Sequence, residues 1–278
     1  MASSRASPRA PADAKEERAL IAAHGARWIG ELAALVEHDS MRFEDGFLAW
    51  CAIDSDRLGV VEQLTGNVGW STVQHIYLAG NAFPHGLLVD PIMKSLASVT
   101  GIRSAVAERV LAGPATYPWK RVGIDPPDAG RAELPAQLRR TFPEATALHL
   151  HAARRTISDF AFLWSDAFAQ LTTIGFVSLA VSAIPAFLDV ALARVAPTTT
   201  IEFSEYHHLG YMVRVAGPML ELRSRAAWGR RATRYGDLVR ALQPYAGTFT
   251  RIRLHDRATK VERAEIETLL APGGELVS

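Results

Sequence analysis

Histidines and carboxylates are the side chains that ligate metals and move protons, and two groups of them stand out in this sequence. His149-x-His151 sets two imidazoles on one face of an extended segment, about 7 Å apart at the rise of a β-strand. His207-His208 follows closely on Glu202 and Glu205. Zinc takes three or four converging ligands, and Glu202 is expected two strands from His149, roughly 10 Å away at ordinary strand spacing. These histidines therefore read as surface residues, and no metal site is expected. Cys51 and His24 have the composition of a nucleophilic pair, but Cys51 follows Trp50 in an apolar run and reads as a buried residue. Gly113-Pro114 and Pro272-Gly273-Gly274 are turn signals that lack the lysine and the strand–loop–helix setting of a phosphate loop. No Gly-x-Ser-x-Gly elbow is present. The reading is of a non-enzymatic protein without a cofactor.

A different chemistry is concentrated at residues 223–240. Arg223, Arg225, Arg230, Arg231, Arg234 and Arg240 stand there against one acid, Asp237, with Trp228 and Tyr235 between them. Arginines interleaved with aromatics can hold phosphates and stack bases. The same composition suits a solvated helix face or a contact with an acidic protein. Nucleic-acid binding through this stretch is accordingly the alternative function.

The elements that would position these residues are written in an apolar–x–apolar motif that recurs along the chain. The pairs are Ile76/Leu78, Val122/Ile124, Leu148/Leu150, Val177/Leu179, Ile201/Phe203, Leu220/Leu222 and Ile252/Leu254, with a weaker copy at residues 99–102. Each sits in a β-type run and is followed by a helix-like stretch, at intervals of 19–32 residues. A repeat one strand and one helix long is the signature of a stacked solenoid, and such proteins work by displaying a surface. Residues 174–193 hold a single charge, Asp189, and are long enough for a membrane span. β-Branched and aromatic residues at their start and Pro185 in their middle make them strand, turn and helix instead.

Bulk composition agrees. Apolar residues make up 49% of the 278, charged residues 21%, and the net charge is +1, so no global field draws the chain to nucleic acid or membrane. One cysteine excludes an internal disulfide and indicates a reducing, cytoplasmic setting. Heavy use of Ala and Arg suggests a GC-rich bacterial genome. Residues 1–13 read as a disordered leader with no apolar signal core behind it. Residues 14–66 read as an N-terminal helical cap: an amphipathic segment carrying Leu20, Ile21, Trp28, Ile29, Leu32 and Leu35, broken near Gly25, then an aromatic cluster and a second helix-like run. Residues 67–278 are the repeat array.

The runs LIAAHGARWIGEL (20–32) and RFEDGFL (42–48) resemble the segment that precedes the repeats in bacterial leucine-rich-repeat proteins of the repeat-companion-domain type, abundant in myxobacteria and planctomycetes. The matching positions are His24, Gly25, Trp28, Gly30, Arg42, Phe43, Gly46 and Phe47. VQHIYLAGN (73–81) matches one leucine-rich repeat, with Asn81 at the turn position. In later units that asparagine is replaced; His151-Ala-Ala follows Leu150, and His255-Asp-Arg follows Leu254. The resemblance implies an α/β leucine-rich-repeat-like solenoid with a concave parallel sheet, acting as an interaction scaffold. It brings no catalytic residues with it.

In a strand, successive side chains alternate between faces. With each apolar pair turned inward, the residues beside it line the concave face. That column holds His75, Tyr77, Arg121, His149, His151, Phe176, Glu202, Glu221, Arg223 and Arg253. Aromatic residues and arginines are the types that dominate protein-binding hot spots. The expected partner is therefore another protein, bound on this face.

Overall fold

The computed structural model describes residues 11–127, 131–206, 209–224 and 235–278. The chain divides into two units, Met1–Gly101 and Ile102–Ser278, each with helices and a mostly parallel sheet.

The first unit opens with helix α1 (Pro11–Ile29), so the helix begins inside the segment expected to be a leader. Proline at a helix start loses no hydrogen bond that the helix would have made. α1 also runs straight through Gly25, where a break was expected. A Cβ there would meet the terminal methyl of Met41 at 2.9 Å, so the bare backbone gives that flexible side chain room beside the helix. That element is strand β1 (Val36–Glu44), paired antiparallel with β2 (Phe47–Ile53). The segment expected as a helical cap therefore contains a hairpin. Its turn, Asp45-Gly46, has positive φ at both residues, 52° and 86°, the conformation of a type I′ turn, which Asp-Gly favours. Helix α2 (Leu58–Leu64), β3 (His75–Leu78), the short helix α3 (His85–Leu88) and β4 (Ser98–Ile102) follow. β2, β3 and β4 are parallel neighbours. The parallel array thus starts at β2, earlier than residue 67. Asn81 donates its backbone N–H to Asp56 Oδ1 at 2.6 Å, which links two successive strand-to-helix turns.

In the second unit, helix α4 (Ser104–Ala112) leads to β5 (Arg121–Ile124), α5 (Leu134–Thr141) and β6 (Ala147–His151). Two 3₁₀ segments then connect to β7 (Thr173–Val177), α6 (Ile184–Arg194) and β8 (Thr200–Tyr206). Next come β9 (Leu209–Ala216), β10 (Met219–Ser224), α7 (Tyr235–Leu242), β11 (Phe249–Leu254), α8 (Lys260–Glu267) and β12 (Leu270–Val277). β5 to β8 are parallel, as are β10 to β12.

β9 breaks the repeat. It pairs antiparallel with both β8 and β10, so a strand stands where a helix was expected between Ile201/Phe203 and Leu220/Leu222. This is the shortest interval in the series. Tyr211, Val213 and Val215 are buried while Met212 and Arg214 are not fully so, the period-two pattern of a half-buried strand. Gly217 takes φ +55° ahead of Pro218, whose φ is locked negative. A glycine with positive φ in the first central position suits a two-residue II′ hairpin turn.

Two apolar ladders cross the sheet of this unit in register. One runs Val122–Leu148–Ile174–Ile201–Val215–Leu220–Ile252 and the other Ile124–Leu150–Phe176–Phe203–Val213–Leu222–Leu254. All of these are buried, and full burial of an aliphatic or aromatic side chain contributes about 1.5–3 kcal/mol. Helices cover this face: α6 packs on β8, α7 on β10 and α8 on β12. The apolar residues of 174–193 are spent in the same way, in β7 and in α6. Among the described residues no helix is long and apolar enough to cross a membrane.

The ladders correct one expected site residue. In β7 the inward pair is Ile174/Phe176, not Val177/Leu179. Phe176 is fully buried, with ring centroids of Phe187 at 5.0 Å, Phe160 at 5.4 Å and Phe203 at 5.8 Å. Register decides this: alternation alone cannot choose the inner face of so apolar a strand, whereas pairing with Leu150 and Phe203 does.

Two stability outcomes follow. Phe176→Ala is expected to cost about 3–5 kcal/mol in urea unfolding, where a residue on the open face would cost under roughly 0.5 kcal/mol. Alkaline pH is expected to destabilise the protein. Burial raises Tyr211, Tyr245 and Tyr235 above the ordinary phenol range, Tyr235 to about 12. Folding thus keeps protons that the unfolded chain releases near pH ~10. This stabilisation is complete below pH ~10 and is lost on the way to about 12. Melting temperatures at mildly and strongly alkaline pH, with phenolate absorbance followed through the transition, check the sign.

Candidate functional site

Between the two apolar ladders, on the opposite face, lies one register row: Gly123, His149, Gly175, Glu202, Arg214, Glu221 and Arg253. Strand geometry alone aligns these residues, since each is the middle position between an inward pair. Their side chains join into a chain of polar and ionic contacts. His149 Nε2 lies 3.5 Å from Glu202 Oε2. Arg214 Nε lies 3.2 Å from Glu202 Oε1, and an Arg214 terminal nitrogen 3.6 Å from Glu221 Oε2. On its other side Glu221 meets His255 Nε2 at 3.2 Å and Arg253 at 4.0 Å.

Two features of the backbone make this arrangement possible. The first is Gly175. His149 and Glu202 stand two strands apart and were expected to be roughly 10 Å from each other, yet they touch. The imidazole lies across the strand between them, where a Cβ on residue 175 would meet His149 Nδ1 at 2.6 Å. The second is β9. In a continuous parallel array Glu202 and Glu221 would be neighbours, and two carboxylates about 5 Å apart at an effective dielectric near ~20 repel by about 3 kcal/mol. The extra strand doubles their separation and sets a guanidinium between them. Both glutamate side chains are mostly buried, at 15% and 16% exposure. The arginine therefore sets a positive charge between two mostly buried carboxylates.

The other expected site residues are placed as follows. His75 and Tyr77 lie on β3 in the first unit, half-buried, alternating with the buried Ile76 and Leu78. Arg121 is half-buried on β5, in the row that includes Ala147 and Thr173. His151 pairs with Val177, and Arg223 with Met212, one row beyond the charged chain. Phe176 belongs to the core. Arg225, Arg230, Arg231 and Arg234 lie outside the described residues, as do His207 and His208. Arg240 forms an i, i+3 ion pair with Asp237 on α7. Cys51 is fully buried on β2, and burial pushes its thiol up to about 12, which removes the thiolate a nucleophile needs. Among the described residues no three His, Cys, Asp or Glu side chains gather to hold a metal ion.

Arg214 is the residue that sequence reasoning missed. Its signal is the alternation of Tyr211, Val213 and Val215 ahead of Gly217-Pro218, which marks a strand and a hairpin turn inside an interval that otherwise reads as one strand–helix unit.

Comparison with known proteins adds no relative: no family model, no curated protein and no solved structure matches the chain.

Removing the central cation tests the chain of ion pairs. Arg214→Ala is expected to lower stability by about 1–3 kcal/mol at neutral pH, because two carboxylates then face each other with no shared cation. Urea unfolding of the variant and the parent at neutral pH reads this difference directly.

Proposed function

We propose that this chain is a leucine-rich-repeat-like solenoid that binds another protein on its outer sheet face, as a scaffold or regulatory subunit without catalytic activity. The observation that carries this reading is the register row from His149 to Arg253. Its side chains come from five strands and are held by polar and ionic contacts of 3.2–4.0 Å. Strands fix the spacing of these groups, and the ion pairs fix their rotamers. A partner that docks there orders little of the protein, which reduces the entropy cost of association.

Such a row is also poorly suited to chemistry. Each of its carboxylates is engaged by at least two cations or imidazoles, so neither stands as a free base beside a nucleophile. On the helical side of the second unit the exposed large apolar residues among those described, Leu192 on α6 and Val261 on α8, stand singly, which is ordinary on a protein surface.

Site-specific photocrosslinking in a lysate of the source organism tests the reading. Benzoylphenylalanine placed at Arg253, on the sheet face, is expected to capture a defined protein. The same probe at Val261, on the helical side, is expected to capture none. Capture only from Val261, or from neither position, would overturn the sheet-face assignment.

A further inference from the structure

The outer sheet face of the first unit differs in chemistry from the charged row of the second. β2, β3 and β4 contain no Asp, Glu, Lys or Arg. Register shows what they carry instead. Arg42 and Glu44, two residues apart on β1, stand opposite Trp50 and Phe47 of β2, and Trp50 stands beside His75 of β3. Tyr77 lies two residues along β3 from His75. Four rings therefore share one face, opposite the buried Cys51, Ile76 and Val99. Phe47 is 62% exposed, and the other three are half-buried.

Beside the rings the same face holds small side chains, Ala52, Ser98 and Thr100, all buried. Tyr77 reaches over β4, where a Cβ on Gly101 would meet its Cε2 at 2.9 Å. The rings thus form the raised part of the surface. Charge is confined to the border strand β1. Arg42 and Glu44 pair there at 2.9 Å, and Glu37 and Asp39 of the same strand are acids.

We infer that this face binds a proline-rich segment of another polypeptide in the polyproline II conformation, with prolines packed on Phe47, Trp50 and Tyr77. The site lies on the other unit from the His149–Arg253 row and does not depend on it. Charge selects the ligand class. Rings alone could stack nucleobases, but a nucleic-acid strand needs cations along its phosphates. Here the border strand sets one arginine against three acids. A proline-rich segment needs no counter-charge, and aromatic-lined surfaces are where such segments dock. Spacing agrees. From Phe47 to Trp50, and from Trp50 to Tyr77, the steps are about 7–10 Å at ordinary strand rise and separation. One turn of polyproline II, three residues at about 3.1 Å each, is ~9 Å. Prolines three residues apart therefore meet successive rings. Such a ligand is stiff before it binds, and aromatic side chains have few rotamers, so little ordering entropy is lost.

Fluorescein-labelled decaproline is the probe, added to the full chain and read by fluorescence anisotropy at low and at physiological salt. A Gly/Ser decapeptide is the control. Saturable binding of decaproline alone is expected, changing less than about twofold with salt because no charges are paired. Phe47→Ala should weaken it at least about fivefold, while Val261→Ala on α8 should leave it unchanged. Phe47 is exposed, so its variant is expected to fold, which circular dichroism checks. Should it not fold, Phe47→Leu keeps an apolar side chain, removes the ring and should weaken binding severalfold. No binding by the parent, or equal binding by the folded variant, overturns the inference. Displacement of decaproline by a twelve-nucleotide single-stranded DNA or by cellohexaose, at far lower concentration than unlabelled decaproline requires, also overturns it. Bases or sugar rings are then the ligand. Capture from Arg253 bears on the second unit alone, so either reading can fail while the other stands.

Discussion

Two faces of one β-sheet cannot be set independently, and that constraint governs the second unit. When Leu148, Ile174, Ile201, Val215 and Leu220 align inward, the residues beside them align outward with the same register. A slip of one residue would send a whole strand's apolar set to solvent and a charge into the core. Hydrophobic burial outweighs the charge pairing and fixes the register. The row from His149 to Arg253 is assembled as a consequence, with its spacing set by the strands.

Where the register would have produced a conflict, the chain changes direction. Glu202 and Glu221 occupy the same level, and a direct parallel pairing would have set them side by side. β9 enters antiparallel and contributes Arg214 at that level. The same strand supplies Val213 and Val215 to the two apolar ladders, so the interruption costs the core nothing. It also brings Tyr211 inward, where its hydroxyl donates to the Leu179 carbonyl. One inserted strand thus continues the core and neutralises the face.

Glycine contributes by absence in both units. At Gly175 it leaves the space over which His149 reaches Glu202, and at Gly25 it gives the Met41 side chain room beside α1 in the first unit. In the first unit the residues that suggested a family resemblance have structural work: Trp28 meets Phe43 edge to face at 5.6 Å, and Gly46 completes the hairpin turn. They shape the opening of the chain.

Local periodicity was enough to establish the mixed α/β class, the recurrence of strand and helix, the buried state of Cys51, and the alternation that turns Ile76 and Leu78 inward and His75 and Tyr77 outward. A few consecutive residues carry each of these signals. The same alternation pointed to His149, Glu202, Glu221 and Arg253 as one face, because each lies between two apolar neighbours. The remaining features depend on which segments become neighbours in space. The inner face of β7 was ambiguous within its own segment and was settled by Leu150 and Phe203 on either side. The hairpin at Asp45-Gly46, the direction of β9 and the place of Arg214 are matters of strand pairing. The contact of His149 with Glu202 requires a glycine in a third strand. Pairing between distant segments is decided by the total burial of all of them together, and no single segment encodes it.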